Sequence, residues 1–182
     1  MSAMNTWEAQ AYQVFPYGHS AYSGDSQAAL FYPGIYSRAE YDMLSILAQV
    51  EARPNPQIQL GPVDLSCAII VCDLSAADEP IVYANSGFSL MTGYTLDEVR
   101  GKNCRFLQAP PEAGPVRPRS ARRYVAKDTI RKMRKALDKR AELQVEVVNF
   151  KKNGESFVNI LTMIPVVVDG RTLCVGFQCE KE

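Results

Sequence analysis

From residue 142 onward apolar and polar positions alternate in three runs, 142–150, 155–168 and 171–180, and a period of two assigns each run to a strand. Residues 128–140 instead repeat their apolar positions at helical spacing, with Ile130, Met133 and Leu137 on one arc. Arg134 falls inside that arc, and a guanidinium facing a core needs an anionic partner or must snorkel past the rim. Upstream, CAIIVCDL (67–74) and Pro80–Ala84 read as two strands joined by a polar turn. Short helices follow at 86–92, closed by Gly93, and at 96–100, opened by a capping box from Thr95 to Glu98 and stopped by Gly101. Two strands, short helices, a long helix and three strands predict an α+β domain on a five-stranded antiparallel sheet.

The first part of the chain follows a different pattern. Residues 1–36 carry scattered aromatics (Trp7, Tyr12, Phe15, Tyr17 and others) without periodicity, as suits a flexible segment or one docked on a neighbouring surface. A capping box, Ser37-Arg38-Ala39-Glu40, predicts a helix to about Ala52 with Met43, Leu47 and Val50 on its apolar stripe, flanked by Leu44 and Ile46. Pro54-Asn55-Pro56 ends that helix and opens an extended hinge over 54–63. The expected organisation is therefore 1–36, a cap helix and Pro-rich hinge over 37–63, and the compact domain over 64–182. A tethered amphipathic helix of this kind serves either as a movable cap or as a fixed part of the domain.

Composition narrows the function classes. The chain has 182 residues, 47% of them hydrophobic, and no net charge, which fits one domain with an extension and gives no overall pull toward nucleic acid or membrane. No run approaches the ~18 apolar residues of a membrane span, and the N-terminus lacks a secretory layout. Five cysteines without CxxC spacing and a single His argue against a zinc site or a disulfide framework, and point to a reducing compartment, cytoplasmic or nuclear. Locally the balance differs: residues 117–140 hold 11 Lys/Arg against 2 Asp/Glu, an excess of 9 positive charges. No nucleic-acid-binding motif accompanies this run, so direct nucleic-acid contact is not expected from it.

The candidate chemistry sits in Gly101-Lys102-Asn103-Cys104-Arg105-Phe106-Leu107-Gln108. A thiol, a guanidinium and two amides suit a planar, heteroatom-rich, phosphorylated cofactor presented to a nucleophile. A short surface helix with a chance cysteine fits the same residues. GKNCRFLQ resembles the flavin-binding signature of LOV domains, the blue-light-sensing branch of the PAS family. The resemblance extends to YANSGFSLMTGY (83–94), to Asn149 and Asn159 in NFKKNGESFVN, and to Gln178 in GFQCE, in the family's order. With RPNPQIQLGPVDLSCAIIVCDL and the basic loop, the chain is similar to the short fungal receptors of the Vivid and Envoy type over about residues 38–182.

That resemblance implies a PAS/LOV fold with helices on one face of the sheet and an N-terminal cap. It implies a photoreceptor rather than an enzyme, holding FAD, with FMN possible. Cys104 is then the nucleophile that bonds reversibly to the photoexcited ring; Asn103, Gln108, Asn149, Asn159 and Gln178 are cofactor-binding, and Arg105 and Arg134 hold the flavin phosphate. The long loop Ala109–Ala126 matches a fungal insertion that makes room for FAD, with Arg119, Arg122 and Arg123 as candidates for its distal phosphate. Output would pass through light-dependent homodimerisation or association with a White-collar-type LOV transcription factor, tuning light-responsive transcription. Parity adds one requirement: Asn149 and Asn159 share a face only across an odd loop, expected as Asn153-Gly154-Glu155 with 149 opposite 159. By the same parity Gln178 shares its face with Gly176 and Cys174, Gly176 leaving room for a flat ring.

Two readings from other classes compete. A flavin-dependent thiol oxidoreductase or redox sensor needs a second cysteine near Cys104, and the flanking sequence offers none. A non-photochemical PAS interaction module needs no reactive thiol at all. Cys67 and Cys72 face opposite ways on one strand, as do Cys174 and Cys179, so neither pair bridges; most are expected to be buried filler. Cys67, beside the hinge, is the candidate for exposure and a redox role.

Overall fold

The computed structural model describes residues 41–61 and 67–182; the aromatic segment 1–36, the Ser37–Glu40 capping box and the expected boundary at 64 lie outside them. Five strands, β1 (Ala68–Asp73), β2 (Ile81–Ala84), β3 (Leu143–Phe150), β4 (Ser156–Val168) and β5 (Arg171–Glu180), form one antiparallel sheet in the order β2-β1-β5-β4-β3. Between β2 and β3 run the helices α2 (Ser86–Thr92) and α3 (Leu96–Val99), a 3-10 helix (Cys104–Gln108), a 3-10 turn (Pro111–Ala113) and α4 (Lys127–Lys139). The α+β architecture expected from the sequence is the one observed.

The sheet separates two cores. On its outer face Ile69, Val71, Tyr83, Ile164, Val166, Leu173, Val175 and Phe177 pack against the cap helix α1 (Met43–Glu51). On its inner face Ile70, Met163 and Cys174 meet Phe88, Val99 and Leu107 from the helices and the 3-10 segment. Alternation along β5 therefore sends Val175 and Phe177 to the cap and Gly176 and Gln178 to the opposite side.

The cap differs from expectation in two ways. Asp42 has an extended backbone (φ −75°, ψ 95°) and caps α1 itself, accepting from the N–H of Leu44 (3.0 Å) and Ser45 (3.2 Å), so α1 starts at Met43. Its buried residues are Met43, Ile46 and Val50, while Leu47 lies at the edge and Leu44 is exposed. Burying three such side chains is worth about 1.5–3 kcal/mol each in gross transfer energy. Beyond α1 the hinge is held by Glu142, whose Oε2 accepts from the N–H of Gln57 (2.9 Å) and Ile58 (2.7 Å).

Local chemistry explains the turns that aim the inner face. Asn85 caps α2 and also accepts from Ile69 N and donates to Cys67 O, which ties α2 to β1. The β3–β4 loop is odd, as expected, but it is centred one residue earlier: Lys151 N donates to Glu155 O, and Lys152-Asn153-Gly154 form the turn with Gly154 at φ 87°. The ladder accordingly pairs Asn149 with Phe157 and Asn159 with Val147. Asn149 and Asn159 remain on one face as diagonal neighbours, not opposite one another.

Candidate functional site

A cavity of about 310 Å³ lies between the inner face of the sheet and the helices, within the range of small-molecule pockets. Its apolar lining includes Ile70, Leu161 and Met163 from the strands and Ile130, Met133 and Leu137 from α4. The three α4 residues are only half-buried, because their arc faces this cavity rather than packed side chains. Gly176 lies in the lining, where an added Cβ would meet Ile70 Cγ1 at 3.0 Å, so the bare backbone keeps the strand face flat.

Three buried amides supply the polar lining. Asn159, 1% exposed, donates from Nδ2 to Asn149 Oδ1 and to Gln178 Oε1, each at 2.9 Å. Asn149 Nδ2 donates to Val148 O at 2.9 Å. That arrangement leaves Asn159 Oδ1 and Gln178 Nε2 buried without partners, as are Gln108 Oε1 and Arg122 Nε. All four of these residues line the cavity. A buried polar group left unpaired costs about 1–3 kcal/mol. Orphaned acceptors and donors around a flat apolar slot are the complement of a planar ring with alternating carbonyl and N–H edges. A flavin has such a ring, and the residues present fit it.

The Cys104–Gln108 segment is a 3-10 helix anchored by buried Leu107 and by Phe106 edge-on to Tyr94 at 5.0 Å. Asn103 caps it: Oδ1 accepts from Arg105 N at 2.9 Å and Nδ2 donates to Asp78 O at 2.6 Å. Both ends of the Asn103 amide are thus engaged in placing the segment, although the residue also borders the cavity. Cys104 is half-buried and contributes to the lining. The expectation that it has no cysteine neighbour is overturned: Cys72 Sγ lies 3.3 Å from Cys104 Sγ. Sequence distance hid this pair, since 32 residues separate the two thiols.

The basic residues sort by position. Arg105, Arg122 and Arg134 border the same cavity. Burial lowers the Arg122 pKa, and the Arg105 and Arg134 guanidiniums beside it lower it further. Arg105 pairs with Asp78, and Glu79 and Asp138 also border the cavity, but among the described residues Arg122 and Arg134 form no ion pair and are free to take an added anion. Arg134 is exposed at the rim, not enclosed within the apolar arc as its sequence position suggested. A second cavity of about 310 Å³ adjoins the first, shares Gln108 and Arg122 with it, and is bordered by Arg123 and Tyr124. Arg119 is exposed, has a left-handed backbone (φ 62°) and borders neither cavity.

Comparison with known proteins identifies this arrangement. The PAS domain family model matches residues 66–179. The light-state dimer of the fungal blue-light photoreceptor Vivid is 55% identical, with a TM-score of 0.74 over 80% of this chain and 99% of that one. The chain belongs to the PAS family, in its Vivid-type LOV branch. Another fungal LOV domain photoreceptor, one linked to a pathway integrating blue light and oxidative stress, is 43% identical with a TM-score of 0.70, over 81% of this chain and 97% of its own. The blue light receptor lreA of Aspergillus flavus is 40% identical over 167 residues, 91% of this chain but 19% of that receptor's length. This LOV domain therefore spans about a fifth of that curated relative. Among the described residues no helix is long and apolar enough to cross a membrane.

Proposed function

We propose that the chain is a blue-light receptor whose output is a change in protein association, and that it turns over no substrate. The observation that carries this reading is the ring of unpartnered buried polar atoms on Gln108, Arg122, Asn159 and Gln178 around a cavity bordered by the Cys104 thiol. When bound, a flavin supplies the photochemistry, a blue-light-excited ring that takes a cysteine sulfur reversibly. The chain's own part is to present and to read. Asn103 and Leu107 fix the 3-10 helix that presents Cys104. Asn149, Asn159 and Gln178 are the amides that would hold the polar edge of the ring. Gln178 is suited to signalling because its amide offers a donor and an acceptor, Oε1 engaged by Asn159 and Nε2 without a partner, so it would have either to present to the ring.

The neighbouring residue carries the message outward. Phe177 faces the cap core with Met43 and Ile46, so a rotation at Gln178 perturbs the surface on which α1 rests. Released or shifted, the cap helix would expose apolar sheet surface to a second copy of the chain or to a White-collar-type LOV transcription factor, in the cytoplasm or the nucleus. FAD is the preferred cofactor, because the second cavity beyond Gln108 and Arg122 offers room and charge for a distal phosphate and adenosine. Arg105 and Arg134 would then hold the nearer phosphate, and Arg122 or Arg123 the farther one.

Chromatography of the flavin released from the purified chain, with size exclusion in darkness and under blue light, tests this reading. FAD on release and a larger particle in the light are expected. A colourless chain after reconstitution, or an elution volume indifferent to light, would overturn it.

A further inference from the structure

Photochemistry at Cys104 needs one thiol, yet the inner face holds three cysteines. Cys72 and Cys174 are directly paired across β1 and β5, both buried and both bordering the cavity with Cys104. Cys72 meets Cys104 directly: the two sulfurs share a hydrogen bond at 3.3 Å. We propose that Cys72 and Cys104 form a peroxide-sensitive dithiol, whose oxidation to a disulfide removes the thiol that light requires.

The geometry makes the two cysteines unequal. Cys104 is half-buried at the start of a 3-10 helix, whereas Cys72 lies within a strand. The hydrogen bond to Cys104, reinforced by burial, pushes the Cys72 thiol well up, so Cys72 keeps its proton while Cys104 meets the oxidant. Burial pushes Cys174 up to about 12, which leaves it an inert member of the core. A disulfide bond of ~2.05 Å joins two sulfurs that already lie in contact at 3.3 Å.

The chemistry balances with a hydroperoxide as oxidant. The Cys104 sulfur attacks the outer peroxide oxygen, the O–O bond breaks, and an alcohol leaves with a proton, giving a sulfenic acid at Cys104. The Cys72 sulfur then attacks Cys104 Sγ; the S–O bond breaks, and hydroxide leaves with the Cys72 proton as water. Two thiols together lose two electrons and two hydrogens, and the peroxide is reduced to alcohol and water. Proximity offsets the weak acidity of Cys72, because the second step is intramolecular. A neighbouring thiol also protects Cys104 from irreversible overoxidation, since a disulfide returns to two thiols with a dithiol reductant.

The consequence for signalling rests on the photoreceptor reading, but the covalent step does not. The full chain, purified in the dark, is treated with hydrogen peroxide, alkylated, digested without reductant and mapped by mass spectrometry. A peptide joining Cys72 to Cys104, two hydrogens lighter than its parts and released by dithiothreitol, is expected. In Cys72→Val the link should vanish and a 1,3-diketone probe should capture Cys104 as the sulfenic acid. Where the chain is coloured, blue-light bleaching should fall in proportion to the linked fraction and return on reduction. Oxidation of Cys104 to the sulfinic acid in the native chain, a link from Cys72 to Cys174, or two thiols that remain freely alkylated would each overturn the proposal.

Discussion

Arg53 and Glu142, 89 residues apart in sequence, form an ion pair at 2.7 Å that joins the hinge to the junction between α4 and β3. Their side chains are 10% and 11% exposed. Arg53 also donates to the carbonyls of Val50 and Ile58, while the second Glu142 oxygen takes the N–H groups of Gln57 and Ile58. One carboxylate thus fixes the start of the Pro-rich segment, and it does so from the end of the helix that borders the cavity. The hinge is latched as well as packed.

Breaking such a pair from one side leaves a charge poorly solvated, at a cost of about 3–5 kcal/mol when fully buried and less here at the protein edge. Glu142→Ala should lower the denaturation midpoint and speed proteolysis within 54–61 in the dark, and Glu142→Gln should do so less. Chemical denaturation with timed proteolysis reads both. Equal cleavage of native and Glu142→Ala chains would show that the latch does not hold the hinge.

The amide relay gives a separate expectation. Gln178→Leu removes the acceptor for Asn159 and the orphaned donor, but leaves Cys104 and the arginines intact. Photobleaching should survive in this variant while the light-dependent change in elution volume is reduced or lost. Asn159→Ala should be costlier, since it strands Asn149 Oδ1 and Gln178 Oε1 at about 1–3 kcal/mol each unless water fills the gap. Thermal melting of the dark protein separates the two.

Arg122 and Arg119 lie three residues apart in the basic loop but differ in surroundings. Arg122 borders both cavities and Arg119 neither. Arg122→Ala should weaken FAD by roughly 10- to 100-fold, the worth of about 1.5–3 kcal/mol for a charge-assisted hydrogen bond. FMN should be affected less, and Arg119→Ala should leave both unchanged. Fluorescence titration of flavin-stripped protein measures the four affinities.

Much of this was legible before any coordinates. Periodicity and capping signals placed every strand and α-helix from β1 onward within a residue or two, but not the 3-10 turn at Pro111–Ala113, which lies in the stretch read as a loop. Parity alone required an odd hairpin loop to bring Asn149 and Asn159 together, and it assigned Gln178 and Gly176 to one side of β5. What it could not supply was long-range register. The loop centre moved by one residue because Lys151 and Glu155 close the ladder, a choice that hydrophobic pattern does not encode. Cys72 meeting Cys104 depends on how the 3-10 segment lies across β1, and Asp78 meeting Arg105 on the β1–β2 turn. Arg134 was misplaced for a related reason: its arc borders a cavity with an open rim, so a charge there is not enclosed by core. Asp42 was not singled out in the sequence as a cap, yet its carboxylate accepts from two amides at the start of α1.

The absorption spectrum before, during and after blue light, for the native chain and for Cys104→Ala, tests the central claim most directly. The native protein should show a flavin band near about 450 nm that bleaches on illumination and recovers in darkness, while Cys104→Ala keeps the band and does not bleach. Reversible bleaching with the same adduct spectrum in Cys104→Ala, or a native flavin band indifferent to light, would contradict the account.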